Sequence, residues 1–364
     1  MAHTNRLRLA VVGIALTLTA ACGGGTDPGA ETITDPLGTI GIVMPNKTSP
    51  RWLGDGGNMV KQFQLLGYRT DLQFGEDDVK KQIAQLETMI ADHDAALVIT
   101  SIDGGALAPV LQKAADAKIP VIAYDRLIRD TPAVSYYATF DNFKVGVIEA
   151  NYLVEKLGLK SGKGPFTIEL FAGSADDNNA GFFFQGSMSI LSPYIRSGKL
   201  KVRSGQTKFT KVTTLRWDGA TAGKRMTKIL AADYGSAHLD AVLSPYDGIS
   251  RGIIAACTEA GYGTGSKPLP LITGQDAEVD SVKAIIAGTQ SETVYKDTRE
   301  LAKVAVQMTD SLLTGGTPRV NDTTQYNNGI KVVPTFLLQP VGVDRSNYKS
   351  VLIEGGYYTE AELS

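Results

Sequence analysis

Short apolar runs alternate along this chain with stretches in which apolar residues recur every three or four positions. Thr39–Met44 (TIGIVM) reads as a first strand, Met59, Phe63 and Leu66 stand at helical spacing, and residues 68–74 alternate as a second strand. Val79, Ile83, Leu86 and Ile90 mark a helix face, followed by a strand at 96–99, a helix at about 106–117 and the apolar strand 120–123. Residues 134–139 alternate again, and Phe140-Asp141-Asn142 opens a helix running to Leu157. The rhythm then restarts, with strands at 166–171, 200–203, 239–244 and 269–273 separated by helices at about 179–191, 220–234 and 249–260. Short strands buried on both faces and separated by helices are parallel strands. Two such series in tandem predict an α/β protein of two doubly wound parallel sheets. The end is less regular, with a short strand closing at Val294-Tyr295-Lys296, a helix at about 298–313, a polar stretch at 315–329 and a strand at 336–341.

The first residues stand outside this rhythm. Arg6 and Arg8 precede an apolar run from Leu9 to Ala21 that ends in Thr19-Ala20-Ala21 before Cys22, the pattern of a secretory signal. The run is similar to a lipobox, which implies a lipid anchor at Cys22. It departs from that pattern in having Thr19 where Leu is usual, with Leu18 one position further back. Cleavage nearby as an ordinary signal is the alternative. Residues 22–37 carry little to bury and read as a flexible tether. The only other cysteine is Cys257 in an apolar helical run, so no intrachain disulfide is expected. With 36 Lys+Arg against 38 Asp+Glu, the net charge of −2 gives no electrostatic reason to expect nucleic acid.

Polar residues collect after the strands, where open α/β sheets bind ligands. In the first series these are Arg51-Trp52, Asp103 and Tyr124-Asp125-Arg126. In the second they are Asp176-Asp177-Asn178-Asn179, Arg216-Trp217, Tyr246-Asp247 and Gln275-Asp276. Singly, each has a plainer role: Asp103, Asp247 and the 176–179 group could cap helices, and Asp125-Arg126 could be a surface ion pair. Jointly they furnish a cleft between two sheets. The chain's only tryptophans, Trp52 and Trp217, fall one in each half. An indole face packs on the C–H face of a sugar ring, while acids, amides and guanidinium groups satisfy hydroxyls, so the set suits a neutral polyol. Neither a GxGxxG nor a P-loop follows the first strand.

Several motifs carry a closer likeness. With SPRW at 49–52, AYDRLI at 123–128, YYATFDN at 136–142, DDNN at 176–179, SPYDG at 244–248, GQDAE at 274–278 and KDTRELA at 296–302, the chain resembles the type I periplasmic sugar-binding proteins of ABC transporters, nearest the xylose-binding and multiple-sugar-binding receptors. The likeness implies two lobes, residues 38–140 with 297–333 and residues 141–296 with 334–364, joined by three crossovers near Phe140, Lys296 and Pro334. It implies that Arg51, Asp125, Arg126, Asp177, Asn178, Asp247, Asp276 and Lys296 bond sugar hydroxyls and that Trp52 and Trp217 flank the ring, with Tyr246 alternative to Asp247. It also implies a monosaccharide ligand, an ABC permease as partner, a monomer, and neither cofactor nor catalysis. No calcium-loop spacing is present, so no metal is expected. The other readings are a receptor for a nucleoside or furanose signal, a glycosidase using Asp125 and Asp276, and a repressor-type effector domain, which would need a DNA-binding helix pair where the signal segment stands.

Overall fold

The computed structural model describes residues 37–364; the expected signal segment, Cys22 and all but the last residue of the tether lie outside them. The first half alternates β1 (Thr39–Met44), α1 (Pro50–Leu65), β2 (Arg69–Phe74), α2 (Val79–Ala91), β3 (Ala96–Ile99), α3 (Ala108–Asp116), β4 (Val121–Tyr124) and β5 (Val134–Phe140). The second half runs through α4 (Asn142–Lys156), β6 (Phe166–Leu170), α5 (Asn178–Arg196), β7 (Leu200–Lys201), α6 (Phe209–Val212), α7 (Gly219–Asp233), β8 (Ala241–Leu243), α8 (Asp247–Glu259), β9 (Leu271–Ile272), α9 (Val279–Ala287) and β10 (Glu292–Tyr295). The chain closes with α10 (Thr298–Leu313), β11 (Thr335–Leu338) and β12 (Val341–Asp344).

The sheet order β11-β5-β4-β3-β1-β2 is parallel throughout and winds outward from β1 in both directions. One face packs on α1 and α10 through Met59, Phe63, Leu301 and Val306; the other packs on α2 and α3 through Leu86, Met89 and Leu111. The second sheet, β7-β6-β8-β9, repeats the winding from β6 and is covered by α4 and α5 on one face and by α7 and α8 on the other. In each sheet the switch point, between β1 and β3 or between β6 and β8, opens a crevice at the carboxyl ends. Gly146 and Gly186 let α4 and α5 cross closely, since a Cβ on Gly186 would overlap the Phe143 carbonyl.

β10 and β12 form a separate two-stranded antiparallel sheet beside the second, and the chain passes between the first sheet and these second-half elements after β5, between β10 and α10 at Lys296-Asp297, and between β11 and β12 at Gln339-Pro340. The last passage corrects the expected one at Pro334. The run read as a single strand at 336–341 is two strands in different sheets: Thr335–Leu338 pairs in parallel with residues 137–140 of the first, and Val341–Asp344 pairs antiparallel with β10. Pro340 has no N–H to continue the ladder, so the first pairing ends there. Leu66, expected on the buried face of α1, is its C-cap and is exposed, while α9 was not signalled by the apolar pattern.

Candidate functional site

The carboxyl ends of both sheets enclose a cavity of about 490 Å³. Arg51 and Trp52 enter from the first turn of α1, where Pro50 sets the helix start after the carboxyl end of β1. Asp125 and Arg126 follow β4; Asp177 and Asn179 stand at the start of α5; Arg216 and Trp217 come from the turn before α7; Tyr246 precedes α8; Asp276 follows β9; and Lys296 follows β10. Four of these residues, Asp125 (φ 58°), Arg216 (φ 54°), Trp217 (φ 58°) and Asp276 (φ 90°), hold left-handed backbone. Such conformations cost roughly 1–3 kcal/mol each and persist where surrounding contacts impose them. At Asp125 the contacts are explicit: its carbonyl oxygen accepts from the Tyr137 hydroxyl at 2.5 Å, the Thr139 hydroxyl at 2.9 Å and Asn179 Nδ2 at 2.7 Å. Asn179 Oδ1 in turn accepts from Asn142 Nδ2 at 3.0 Å, so one buried amide ties α5 both to α4 and to the loop after β4.

Arg51 is the centre of charge. Its Nε faces Asp55 Oδ2 at 3.3 Å, one Nη bonds the Asp125 carboxylate, and the other faces Asp276 Oδ1 at 3.3 Å from the second sheet. Lys296 Nζ approaches the same Asp276 oxygen at 2.9 Å, Arg126 pairs with Asp177 at 3.0 Å, and Arg216 pairs with Asp176 at 2.8 Å. Burial pushes the Asp125 carboxyl up, but Arg51, Lys296 and Arg126 outweigh it and hold it below its ordinary value. At Asp177 burial prevails over Arg126 and the carboxyl is raised. Asp55, fully enclosed, is raised to about 7 by burial against the pull of Arg51.

Two aromatic rings differ in role. Trp52 is 6% exposed and packs into the first core, with the Arg51 and Arg126 guanidinium groups 4.6 and 5.3 Å from its ring. Trp217 is only partly buried and is fixed edge-to-face by Phe183 and Tyr246, each 6.1 Å away. Gly173 lies under it, and a Cβ there would overlap the indole. Trp217 therefore offers a ring surface to the cavity, whereas Trp52 is largely covered.

The lining differs from the expected set at two positions. Asp177 is the N-cap of α5, accepting from Asn179 N at 3.0 Å, and this places Asn179 rather than Asn178 in the lining. Likewise Tyr246 lines the cavity while Asp247, the first residue of α8, is fully buried behind it. Its carboxylate accepts from Gln290 Nε2 and Glu278 N, both at 2.8 Å, and burial raises it to about 8. Asp103 bonds the Gly105 N–H at 2.9 Å and stands away from the lining, as a turn cap does. Phe183, Asn46, Asp77 and Arg251 line the cavity without having been singled out; Phe183 follows Asn179 by one helical turn, the one spacing that could have signalled it. Asp55 stands four residues after Arg51 on α1, a legible ion-pair spacing. Among the described residues no group of His, Cys, Asp and Glu has a metal-binding arrangement.

With acids paired to bases, three amides and a partly exposed indole, the cavity can bond many hydroxyls while carrying little net charge, and its cations are paired with carboxylates rather than gathered for a phosphate. Comparison with known proteins agrees with this chemistry. Residues 40–317 match a periplasmic binding protein domain. The chain is 60% identical over 339 residues to the multiple sugar-binding periplasmic protein SbpA of Azospirillum brasilense, covering 93% of this chain and 94% of that protein. It is 61% identical over 326 residues to the multiple sugar-binding periplasmic receptor ChvE of Rhizobium radiobacter, covering 90% and 92%. An ABC transporter solute binding protein from Clostridium phytofermentans, crystallised with bound β-D-glucose, superposes with a TM-score of 0.86 at 46% identity, covering 90% of this chain and all of that one.

Proposed function

The chain belongs to the periplasmic binding proteins, and from that premise we propose that it is an extracytoplasmic receptor that closes on an aldopyranose of the xylose, arabinose, galactose or glucose type and delivers it to an ABC permease. It is a binding protein, not an enzyme, as its relatives are. The observation that carries the reading is the meeting of Arg51 and Asp125 from the first half of the chain with Asp276, after β9, and Lys296, after β10, from the second, beside the partly open face of Trp217. In this reading Arg51, Asp125, Arg126, Asp177, Asn179, Asp276 and Lys296 bond hydroxyls, Trp217 stacks on the ring, and Tyr246 closes one wall. The lobes are residues 38–140 with 297–338 and residues 141–296 with 341–364, hinged at the three passages, an arrangement suited to domain closure.

Lipidation at Cys22, a tether from there to the globule and a monomeric state complete the proposal. No helix among the described residues is long and apolar enough to cross a membrane. Association costs about 4–15 kcal/mol and a hydrogen bond to a charged group returns about 1.5–3, so five or six such bonds give roughly micromolar binding or better. The test is calorimetric titration of the purified protein with these four aldoses, with a nucleoside as comparison, and recovery of the sugar afterwards. Saturable binding of at least one aldose, recovered unchanged, is expected; binding of the nucleoside alone would replace the sugar reading.

A further inference from the structure

We infer that Asp55 is a positioning residue for ligand binding, clamping the Nε end of the Arg51 guanidinium from behind so that both Nη groups face the cavity. The inference rests on the sugar-receptor reading above. Asp55 does not line the cavity and is wholly buried, one turn along α1 from Arg51. A guanidinium carries five N–H groups in a rigid planar fork. Here the single Nε–H is directed to Asp55 Oδ2 at 3.3 Å, one Nη bonds Asp125, and the other reaches Asp276 at 3.3 Å. Two N–H groups remain for a ligand. Asp125 and Asp276 belong to different sheets and lie where a ligand sits, so Asp55 is the one carboxylate that holds Arg51 from its own helix.

The surroundings of Asp55 argue against a simple packing role. A buried carboxylate is costly where an apolar side chain of similar size would serve. Its Oδ1 and the buried hydroxyl of Tyr124 have no partner other than each other, and that hydroxyl, raised first by its burial, stands close enough to Asp55 for the carboxylate to raise it further. The charged and titratable groups that face it are Arg51, Asp125, Asp276, Lys296, Tyr124 and, from the C-terminal segment, Tyr357. Arg51 and Lys296 supply two positive charges against three carboxylates, so a proton on Asp55 balances the cluster. A neutral Asp55 still accepts from Nε through its carbonyl oxygen, and its O–H can reach Tyr124.

Lobe closure couples to that proton. Asp276 and Lys296 belong to the second lobe, and with Asp276 set against Arg51 the Asp55 carboxyl is raised to about 7, burial being the first cause, Arg51 and Lys296 opposing it and Asp125 and Asp276 adding to it. Opening removes Asp276, which had raised the value, together with Lys296, which had lowered it, and admits water; burial is the largest cause of the rise, so its loss sets the net direction, downward. The closed form therefore binds more protons than the open form. Closure is favoured at low pH, and its advantage is lost as pH rises through the open-state value to about 7, levelling above it.

The experiment is titration of purified wild-type protein, Asp55→Asn and Asp55→Ala with D-glucose and D-xylose at pH 5, 6, 7 and 8, with a thermal melt of each. The wild type should lose affinity as pH rises toward 7 and then level. Asp55→Asn, which keeps the acceptor for Nε, should stay within about threefold of the wild-type affinity at low pH and lack that fall. Asp55→Ala should bind about tenfold to a hundredfold more weakly at every pH, because the Arg51 fork loses its clamp. If Asp55→Ala does not fold, Asp55→Ser makes the same comparison. A folded Asp55→Ala that binds as the wild type does, or an Asp55→Asn with the wild-type pH slope, overturns the inference. A wild-type protein that binds neither sugar overturns the receptor reading itself.

Discussion

Replacing Asp125 by asparagine isolates the charge at the centre of the site. Asp125 is 4% exposed and holds left-handed backbone at φ 58°, a conformation that Asn adopts readily and Ala does not. The three donors on its carbonyl are unaffected by the change, so the loop should keep its place. What is lost is the carboxylate that pairs with Arg51 and that the proposed reading shares with the ligand. Arg51 retains Asp55 and Asp276, so no bare guanidinium is left in the cavity. The loss is then the difference between a charged hydrogen bond, about 1.5–3 kcal/mol, and a neutral one, about 0.5–1.5 kcal/mol, which is about 1–1.5 kcal/mol or roughly a fivefold to twelvefold rise in Kd. Asp125→Ala should cost about 2–4 kcal/mol in binding by losing the bonds outright, and it should also melt earlier, since left-handed backbone costs an alanine about 1–2 kcal/mol. Calorimetry measures the affinities and a thermal melt the stabilities. An Asp125→Asn protein with wild-type melting and a Kd within about threefold of wild type would refute the placement of Asp125 at the ligand.

Other changes separate ring, helix crossing and buried charge. Trp217→Ala should weaken sugar binding by about 1–3 kcal/mol, and Gly173→Ala should do the same by displacing the indole, with altered tryptophan fluorescence and an intact fold by circular dichroism. Gly186→Ala should destabilise by about 1–3 kcal/mol in a denaturant titration, because the new Cβ meets the Phe143 carbonyl where α4 and α5 cross. Glu149 and Glu292 are buried carboxyls without a basic partner in hydrogen-bond contact, and burial first, then the charge of Glu292 at Glu149 and of Asp247 at Glu292, raises both well above the usual range. An acid raised in the folded state loses stability as pH climbs from its unfolded value through its folded one. Glu149→Gln and Glu292→Gln should therefore melt later than wild type at pH 8 and show a flatter Tm between pH 5 and 8, whereas parallel curves would show that neither group titrates there.

Most of the scaffold was legible because strands buried on both faces are continuous apolar runs. TIGIVM and ALVI coincide with β1 and β3. The second lobe was legible as rhythm but not as length: β7 and β9 are two residues each where strands at 200–203 and 269–273 were expected, because backbone pairing there stops before the sequence pattern does. The passage at Gln339-Pro340 was hidden because the apolar runs on either side of it serve different sheets, a distinction that only partner strands make. Position after a strand pointed to the loops that line the cavity. Choosing within a loop depends on where the helix begins: Asp177 caps α5 and Tyr246 caps α8, and a shift of one residue moves a side chain from the cavity to the core. Asn179 and Tyr246 face the cavity for that reason, while Asn178 and Asp247 do not line it.

The most direct test is a crystal structure of the protein grown with D-glucose or D-xylose. The account predicts one pyranose between the two lobes, its hydroxyls within hydrogen-bond distance of Asp125, Asp276, Arg51 and Lys296 and its C–H face on Trp217. A sugar bound outside this cavity, or a cavity unoccupied at saturating sugar, would contradict it.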